Sequence, residues 1–337
     1  MTSSNNIVNQ MPLKRGDTLL NGKYEIISNT FNKGGFGRIY RAYDRECERR
    51  TMNGKHHIVA IKEFCIQKNH APYATCSSIG VYTLNEENLR LELLRDQFFK
   101  EADILYLLHE QRDHHVPWAH KQAKGNIVFE DKGRLFYAMT YIDGITLAKY
   151  VNVRRTLPER MALEYIVQIG KFLYKAHEWH VVHCDISPYN IMVKGGHAIL
   201  VDFGNARSYE SLLVNNNMDA SRRLASSSFG TRGFCNDKLT GTIQGDIFSL
   251  AATLYFILVG TPPGLCYSEE GRNCLIETLG KQGVSDLTTA AIVHALTLEP
   301  CFGSYFEPWQ DVNAKTFLKK LPQDIVFETL LNYNDRL

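Results

Sequence analysis

The sequence predicts an α+β chain of two lobes: a strand-rich N-terminal part around one long helix, then a mostly helical part. Three observations carry this. The chain has 337 residues, and at about 150 residues per domain that length gives roughly two. Short β-branched or alternating runs with glycine breaks fill the stretch to Phe64 and return at 126–141, the pattern of paired strands. From Pro158 onward apolar residues recur at helical spacing instead.

The elements follow in order. Residues 1–16 read as a flexible polar tail. Tyr24-Glu25-Ile26-Ile27 and Arg38 to Tyr43 form two strands of a hairpin around the cluster Lys33-Gly34-Gly35-Phe36-Gly37. Ile58 to Phe64 is a third strand, short and β-branched. Residues 65–85 are irregular and read as an insertion. Glu86 to Leu108 is one long helix, because Leu94, Phe98, Ala102, Leu105 and Leu108 fall near one face. Asn126 to Glu130 and Leu135 to Tyr141 pair through Asp131-Lys132-Gly133. The character changes at 139–144, where Asp143-Gly144 supplies a breaker, so a hinge is placed there between a lobe at 17–138 and one at 145–337. Pro158 to Trp179 is a helix with Leu163, Ile166, Val167, Leu173 and His177 on one side. Ile191 to Val193 and Ala198 to Val201 are short strands. The apolar run Ile247 to Gly260 is too short to cross a bilayer and reads as a buried core helix.

Composition narrows the function classes. Lys plus Arg is 38 and Asp plus Glu is 36, which lacks the strongly basic balance of a nucleic-acid binder. None of the 8 cysteines forms a Cys-x-x-Cys pair, so a zinc ribbon or thioredoxin motif is not supported. Cys65, His70 and Cys76 offer metal-ligand types at a spacing unlike a closed zinc site. Met1 to Met11 has no apolar signal stretch. A cytoplasmic location with reduced thiols and no membrane span is the expectation.

Four pieces carry chemistry. Glycines in a hairpin turn let backbone amides approach phosphates, because no Cβ intervenes. Lys62, in Val59-Ala60-Ile61-Lys62, points from a strand that is expected to be half-buried and needs a partner. Glu101 on the long helix is the natural one. His183-Cys184-Asp185-Ile186-Ser187-Pro188-Tyr189-Asn190 sets a carboxylate and a carboxamide on a loop after a helix. Val201-Asp202-Phe203-Gly204 follows at a strand end. Oxygen ligands converging there suit a hard cation such as Mg²⁺, with phosphates as its partner.

Taken in order, these motifs resemble the protein kinases, and most closely the bacterial eukaryotic-like Ser/Thr kinases. The resemblance covers about residues 20 to 320. It implies a bilobal fold and Mg²⁺-assisted phosphoryl transfer from ATP to Ser/Thr hydroxyls of protein substrates. It also implies roles for residues. Asn32, Gly34, Gly35 and Gly37 would cover the ATP phosphates, with Ile39 and Ala60 lining the nucleotide site. Lys62 would hold the α- and β-phosphates, oriented by Glu101. Met139 stands as gatekeeper, and Thr140, Tyr141 and Ile142 would read adenine through backbone groups. Asp185 would accept the substrate proton, while Asn190 and Asp202 hold Mg²⁺. Asp246 resembles the buried aspartate that anchors the catalytic loop.

The chain departs from the family in places. Asn32 replaces the first loop glycine. Cys184 replaces the arginine before the catalytic aspartate, so activity without loop phosphorylation is expected. Ser187 replaces the lysine two residues after that aspartate; as a catalytic candidate it brings the transferred phosphate a hydroxyl without charge, so weaker stabilisation is expected. Lys238 and Glu307 stand where the family has an ion pair of opposite order, which suggests a reversed pair. Ser226, Ser227, Ser228 and Thr231 are the candidate hydroxyls for autophosphorylation. A nucleotide-binding pseudokinase scaffold and a small-molecule kinase remain as alternatives.

Overall fold

The computed structural model describes residues 11–30, 37–47, 57–65, 84–110, 114–208, 241–264, 268–297 and 313–334. The chain divides into two compact units, Met1–Ile142 and Asp143–Leu337.

In the first unit the strands are β1 (Thr18–Leu19), β2 (Tyr24–Thr30), β3 (Gly37–Asp44), β4 (His57–Phe64), β5 (Val128–Asp131) and β6 (Arg134–Thr140). They form an antiparallel sheet in the order β1-β2-β3-β4-β6-β5. The helix α1 (Leu84–Glu110) is the long one expected, extended at both ends. Phe98 of α1 packs on Phe64 and Tyr137, with ring centroids 5.4 and 5.1 Å apart. The other face of the sheet has its own buried cluster, including Ile26, Tyr40, Ile61, Phe129 and Phe136. The segment read as the end of a flexible tail closes that cluster. Leu13 is buried in it, and Gly16 donates its N–H to the Ile26 carbonyl at 2.8 Å. Residues 11–16 are therefore part of the packed unit, because one apolar side chain and a backbone bond tie them down.

Gly37 shows why glycine starts β3. A Cβ there would meet the Glu63 carbonyl at 2.8 Å and the Lys62 Cε at 3.2 Å. Only a bare backbone lets β3 start this close to the strand that carries Lys62.

The second unit is mostly helical. Its elements begin with β7 (Ile145–Thr146), α2 (Leu147–Arg154), α3 (Glu159–Glu178) and β8 (Val181–Val182). Next come β9 (Ile191–Lys194), β10 (His197–Leu200) and β11 (Arg207–Ser208). The remaining helices are α4 (Ile243–Val259), α5 (Glu269–Lys281), α6 (Asp286–Leu296), α7 (Ala314–Lys320) and α8 (Gln323–Asn334). α3 presents its expected apolar face, with Leu163, Ile166, Val167, Leu173 and His177 all buried. α4 is the apolar run, starting four residues before Ile247. Thr242 caps it by accepting the Gly245 N–H at 3.0 Å, and Gly260 ends it at φ 90°. A Cβ at Gly260 would come within 2.9 Å of the Arg155 carbonyl, so glycine is required there twice over. Ser249, which interrupts the run in sequence, is buried and donates its hydroxyl to the Gly245 carbonyl inside the helix. Among the described residues no helix is long and apolar enough to cross a membrane.

Candidate active site

The first unit brings together a strand lysine and a helix glutamate. Lys62 Nζ donates to Glu101 Oε1 at 2.5 Å, with both residues buried. Burying either charge alone is costly, and the pair resolves it. The strand register then places further residues beside Lys62. Ile39 stands opposite Lys62 in β3, and Ala60 stands opposite Met139 in β6. With a side-chain period of two, Ile39, Ala60, Lys62 and Met139 share one face of the sheet. Asn32, Gly34 and Gly35 lie outside the described residues.

The strand end differs from the expectation. β6 stops at Thr140, and its N–H donates to the Trp118 carbonyl at 2.9 Å. His120 likewise donates to the Ala138 carbonyl at 2.8 Å. The chain before β5 thus extends the sheet along the end of β6. The Thr140 amide is spent on that pairing, so reading of adenine by the Thr140 N–H is not supported. Tyr141 and Ile142 follow beyond the strand.

In the second unit the catalytic-type loop runs from β8 to β9. Asp246, 1% exposed, sits in the first turn of α4 and holds this loop. Its Oδ2 accepts the His183 N–H and its Oδ1 accepts the Cys184 N–H, each at 2.9 Å. His177 Nε2 lies 2.9 Å from the same Oδ2. A buried carboxylate is stable only with such partners. His177 was legible as a helix-face residue but not as a ligand of Asp246.

The loop residues then take their places. Cys184 adopts φ 66°, which few non-glycine residues do without cause. Its Sγ donates weakly to the Val182 carbonyl at 3.7 Å. Burial, with the charge of Asp246, pushes the thiol well above its ordinary value, so it stays protonated. Arg207, opposite Val182 in β11, acts on the thiol in the other direction. A basic group therefore remains near position 184 although the arginine itself is replaced.

Asp185 donates its N–H to His183 Nδ1 at 3.2 Å. Asn190 Nδ2 donates to the Asp185 carbonyl at 2.9 Å and to its Oδ2 at 3.0 Å. β9 and β10 form a hairpin that pairs Ile191 with Leu200, and Val201 donates its N–H to the Asn190 carbonyl at 2.8 Å. Asn190 before β9 and Asp202 after β10 therefore lie at the same end of this hairpin. Asp202 is left-handed at φ 64°, and Phe203 behind it is buried, edge-on to His183 at 4.6 Å. Such strain is held where packing over-determines it. The amide nitrogen of Asn190 is committed to Asp185, so its oxygen is the atom the side chain offers. That oxygen and the Asp202 carboxylate are both hard donors, of the kind that Mg²⁺ takes.

Ser187 differs from its expected role. It is 0% exposed, so its hydroxyl does not present itself to a phosphate as the family's lysine does. Ser226, Ser227, Ser228, Thr231, Lys238, Glu307, His70 and Cys76 lie outside the described residues, while Cys65 is buried. Among the described residues no group of three or more His, Cys, Asp or Glu could hold a metal.

Comparison with known proteins decides the family. The protein kinase domain matches residues 123–295, about half of the chain. The chain belongs to the protein kinase family. The match begins after α1, so Lys62 and Glu101 rest on their own geometry. Among relatives, Serine/threonine-protein kinase C of Synechocystis is 26% identical over 295 residues, covering 86% of this chain and 48% of the relative. PknA, a serine/threonine-protein kinase of Nostoc, is 22% identical over 289 residues, covering 84% and 45%. PknD, a serine/threonine-protein kinase of Mycobacterium tuberculosis, is 29% identical over 247 residues, covering 72% and 30%. The chain thus spans about half the length of the first two and less of the third.

Proposed function

We propose that the chain transfers the γ-phosphoryl group of ATP to Ser or Thr hydroxyls of protein substrates. One observation carries this reading: Asp185 and Asn190 are 3.0 Å apart on a loop anchored by Asp246, with Asp202 at the same hairpin end. The family and its serine/threonine-kinase relatives support it.

The roles are these. Asp185 accepts or orients the proton of the attacking hydroxyl. Lys62, aligned by Glu101, binds the α- and β-phosphates. Asn32, Gly34, Gly35 and Gly37 cover the phosphates, and Ile39, Ala60 and Met139 line the nucleotide site. Thr140 through its carbonyl, Tyr141 and Ile142 are the backbone candidates for adenine. Asn190 and Asp202 hold Mg²⁺, which neutralises charge on the phosphates when bound. Positioning and electrostatics then supply most of the rate. Ser187 is assigned a packing role under the loop rather than contact with phosphate. The substrates are proteins, with autophosphorylation at Ser226, Ser227, Ser228 or Thr231, and the two lobes join through a hinge at 139–144.

A nucleotide-binding scaffold is the second reading, favoured by Cys184 and Ser187 where the family carries charges. Labelled ATP with Mg²⁺ and three acceptors separates the readings: the chain itself, a generic Ser/Thr protein and small hydroxyl compounds. Label on protein Ser or Thr is the expected result. Label on small hydroxyls alone assigns a small-molecule kinase. Nucleotide binding with no transfer leaves the scaffold and overturns the proposal.

A further inference from the structure

The carboxylate of Asp185 has a second amide on it. Asn205 Nδ2 donates to Asp185 Oδ2 at 3.3 Å, beside the 3.0 Å bond from Asn190 to the same oxygen. Asn205 reaches that spot because the chain turns sharply after Asp202. Phe203–Asn205 is a single 3₁₀ turn, closed by the Ala206 N–H on the Phe203 carbonyl at 2.9 Å. The turn is pinned at its start by Phe203, packed between His183 and Phe172 at 4.6 and 6.3 Å. It is pinned at its end by β11 pairing with β8. Two residues past the phenylalanine, Asn205 carries its amide to the Asp185 carboxylate.

We infer that Asn205 is a positioning residue for Asp185, and this rests on the reading of Asp185 as the base. The physical case is local. Cys184 and Ser187 bring no charge to the flanks of Asp185. A carboxylate gripped by one amide can still swing about its χ2, whereas two donors on one oxygen, from two separate elements, hold the plane of the group. Hydrogen bonds to an ionised acceptor are the stronger kind. The couple also ties the catalytic-type loop to the segment after Asp202, so the base and a proposed Mg²⁺ ligand move together.

Two measurements test it. Asn205→Leu keeps the bulk and removes the donor. It is expected to lower kcat about tenfold, the loss of one such hydrogen bond, with KM for ATP and for the acceptor within about twofold and the melting temperature unchanged. Asn205→Gln, which keeps the amide on a longer stem, is expected to recover part of kcat. A merely structural role would lower the melting temperature and move KM as well. Unchanged kcat in Asn205→Leu overturns the inference, and so does a loss that Asn205→Gln repeats in full.

The second measurement needs no activity. In an NMR spectrum of the full chain, Asp185→Ala is expected to shift the Asn205 side-chain amide resonance. An amide resonance that stays in place overturns the inference. If the wild type transfers no phosphate, the function fails while this resonance still decides the contact.

Discussion

Glu63 in the first unit and Asp246 in the second are both sealed from solvent, at 0% and 1% exposure. They are stabilised by different means. Glu63 is held by side chains of neighbouring strands. Arg134 donates to its Oε1 through Nε at 2.8 Å and again through Nη2, Tyr40 donates to Oε2 at 2.6 Å, and Arg38 lies 3.6 Å away. Burial, then the bond to Glu63, holds the Tyr40 phenol protonated above its ordinary value. Asp246 is held mainly by backbone N–H groups of the loop it supports. A side-chain cluster joins strands and can be exchanged as a set. A backbone-bound carboxylate encodes the shape of a loop and has no apolar substitute, since the amides remain whatever replaces the acid.

The contrast can be broken most forcefully at Glu63. Glu63→Ala strands Arg38 and Arg134 and is expected to cost about 3–5 kcal/mol in chemical denaturation, as for other broken buried pairs. Replacing Glu63, Arg38 and Arg134 together by leucine or methionine, with Tyr40→Phe to remove the hydroxyl that Glu63 accepts, is expected to recover most of that loss. A combined variant no more stable than the single one would show that the cluster is not exchangeable.

Asp246→Leu comes next. It leaves the His183 and Cys184 amides without acceptors, at about 1–3 kcal/mol for the buried His183 N–H and less for the part-buried Cys184 one. Phosphoryl transfer is expected to fall further than stability explains, because Asp185 adjoins those amides. Transfer at the wild-type rate in the folded fraction would sever the link between Asp246 and the loop.

The smallest effect concerns acid. His120 is pushed down to about 4, first by burial and then by His57, with Lys23 and His109 adding and Asp44 opposing. The unfolded chain takes up this proton near 6.5, whereas the folded one waits until about 4. Stability is therefore present above pH 6.5 and lost as pH falls toward 4. Melting temperatures at pH 7.5 and 5.0 are expected to drop less in His120→Phe than in the wild type. An equal drop would place the acid sensitivity elsewhere.

Much of the architecture could be read from residues. β3 and β4 announce themselves by alternation and β-branching, and α3 and α4 by periodicity or by an unbroken apolar run. The Lys62–Glu101 pair followed from motif order, as did the shared loop of Asp185 and Asn190, whereas the bond between those two did not. What stayed hidden depends on partners far away in the chain. α2 begins right after a stretch that looked like a breaker, and its cap, Thr146 on the Lys149 N–H at 3.2 Å, is ordinary in sequence. Leu13 looks like one apolar residue in a polar tail until Tyr40 and the sheet receive it. Glu63 follows a lysine on a strand expected to have a wet face, yet both faces are covered. The spent amide of Thr140 needs Trp118, and the grip of Asn205 needs the turn after Asp202.

The most direct test of the account compares the wild type with Asp185→Asn for Mg²⁺-ATP affinity and for single-turnover phosphoryl transfer. With Asp185 as the base, affinity stays within a few-fold of wild type and transfer is lower by about 10²–10⁴, the range for a lost general base. Transfer by Asp185→Asn at the wild-type rate would contradict it.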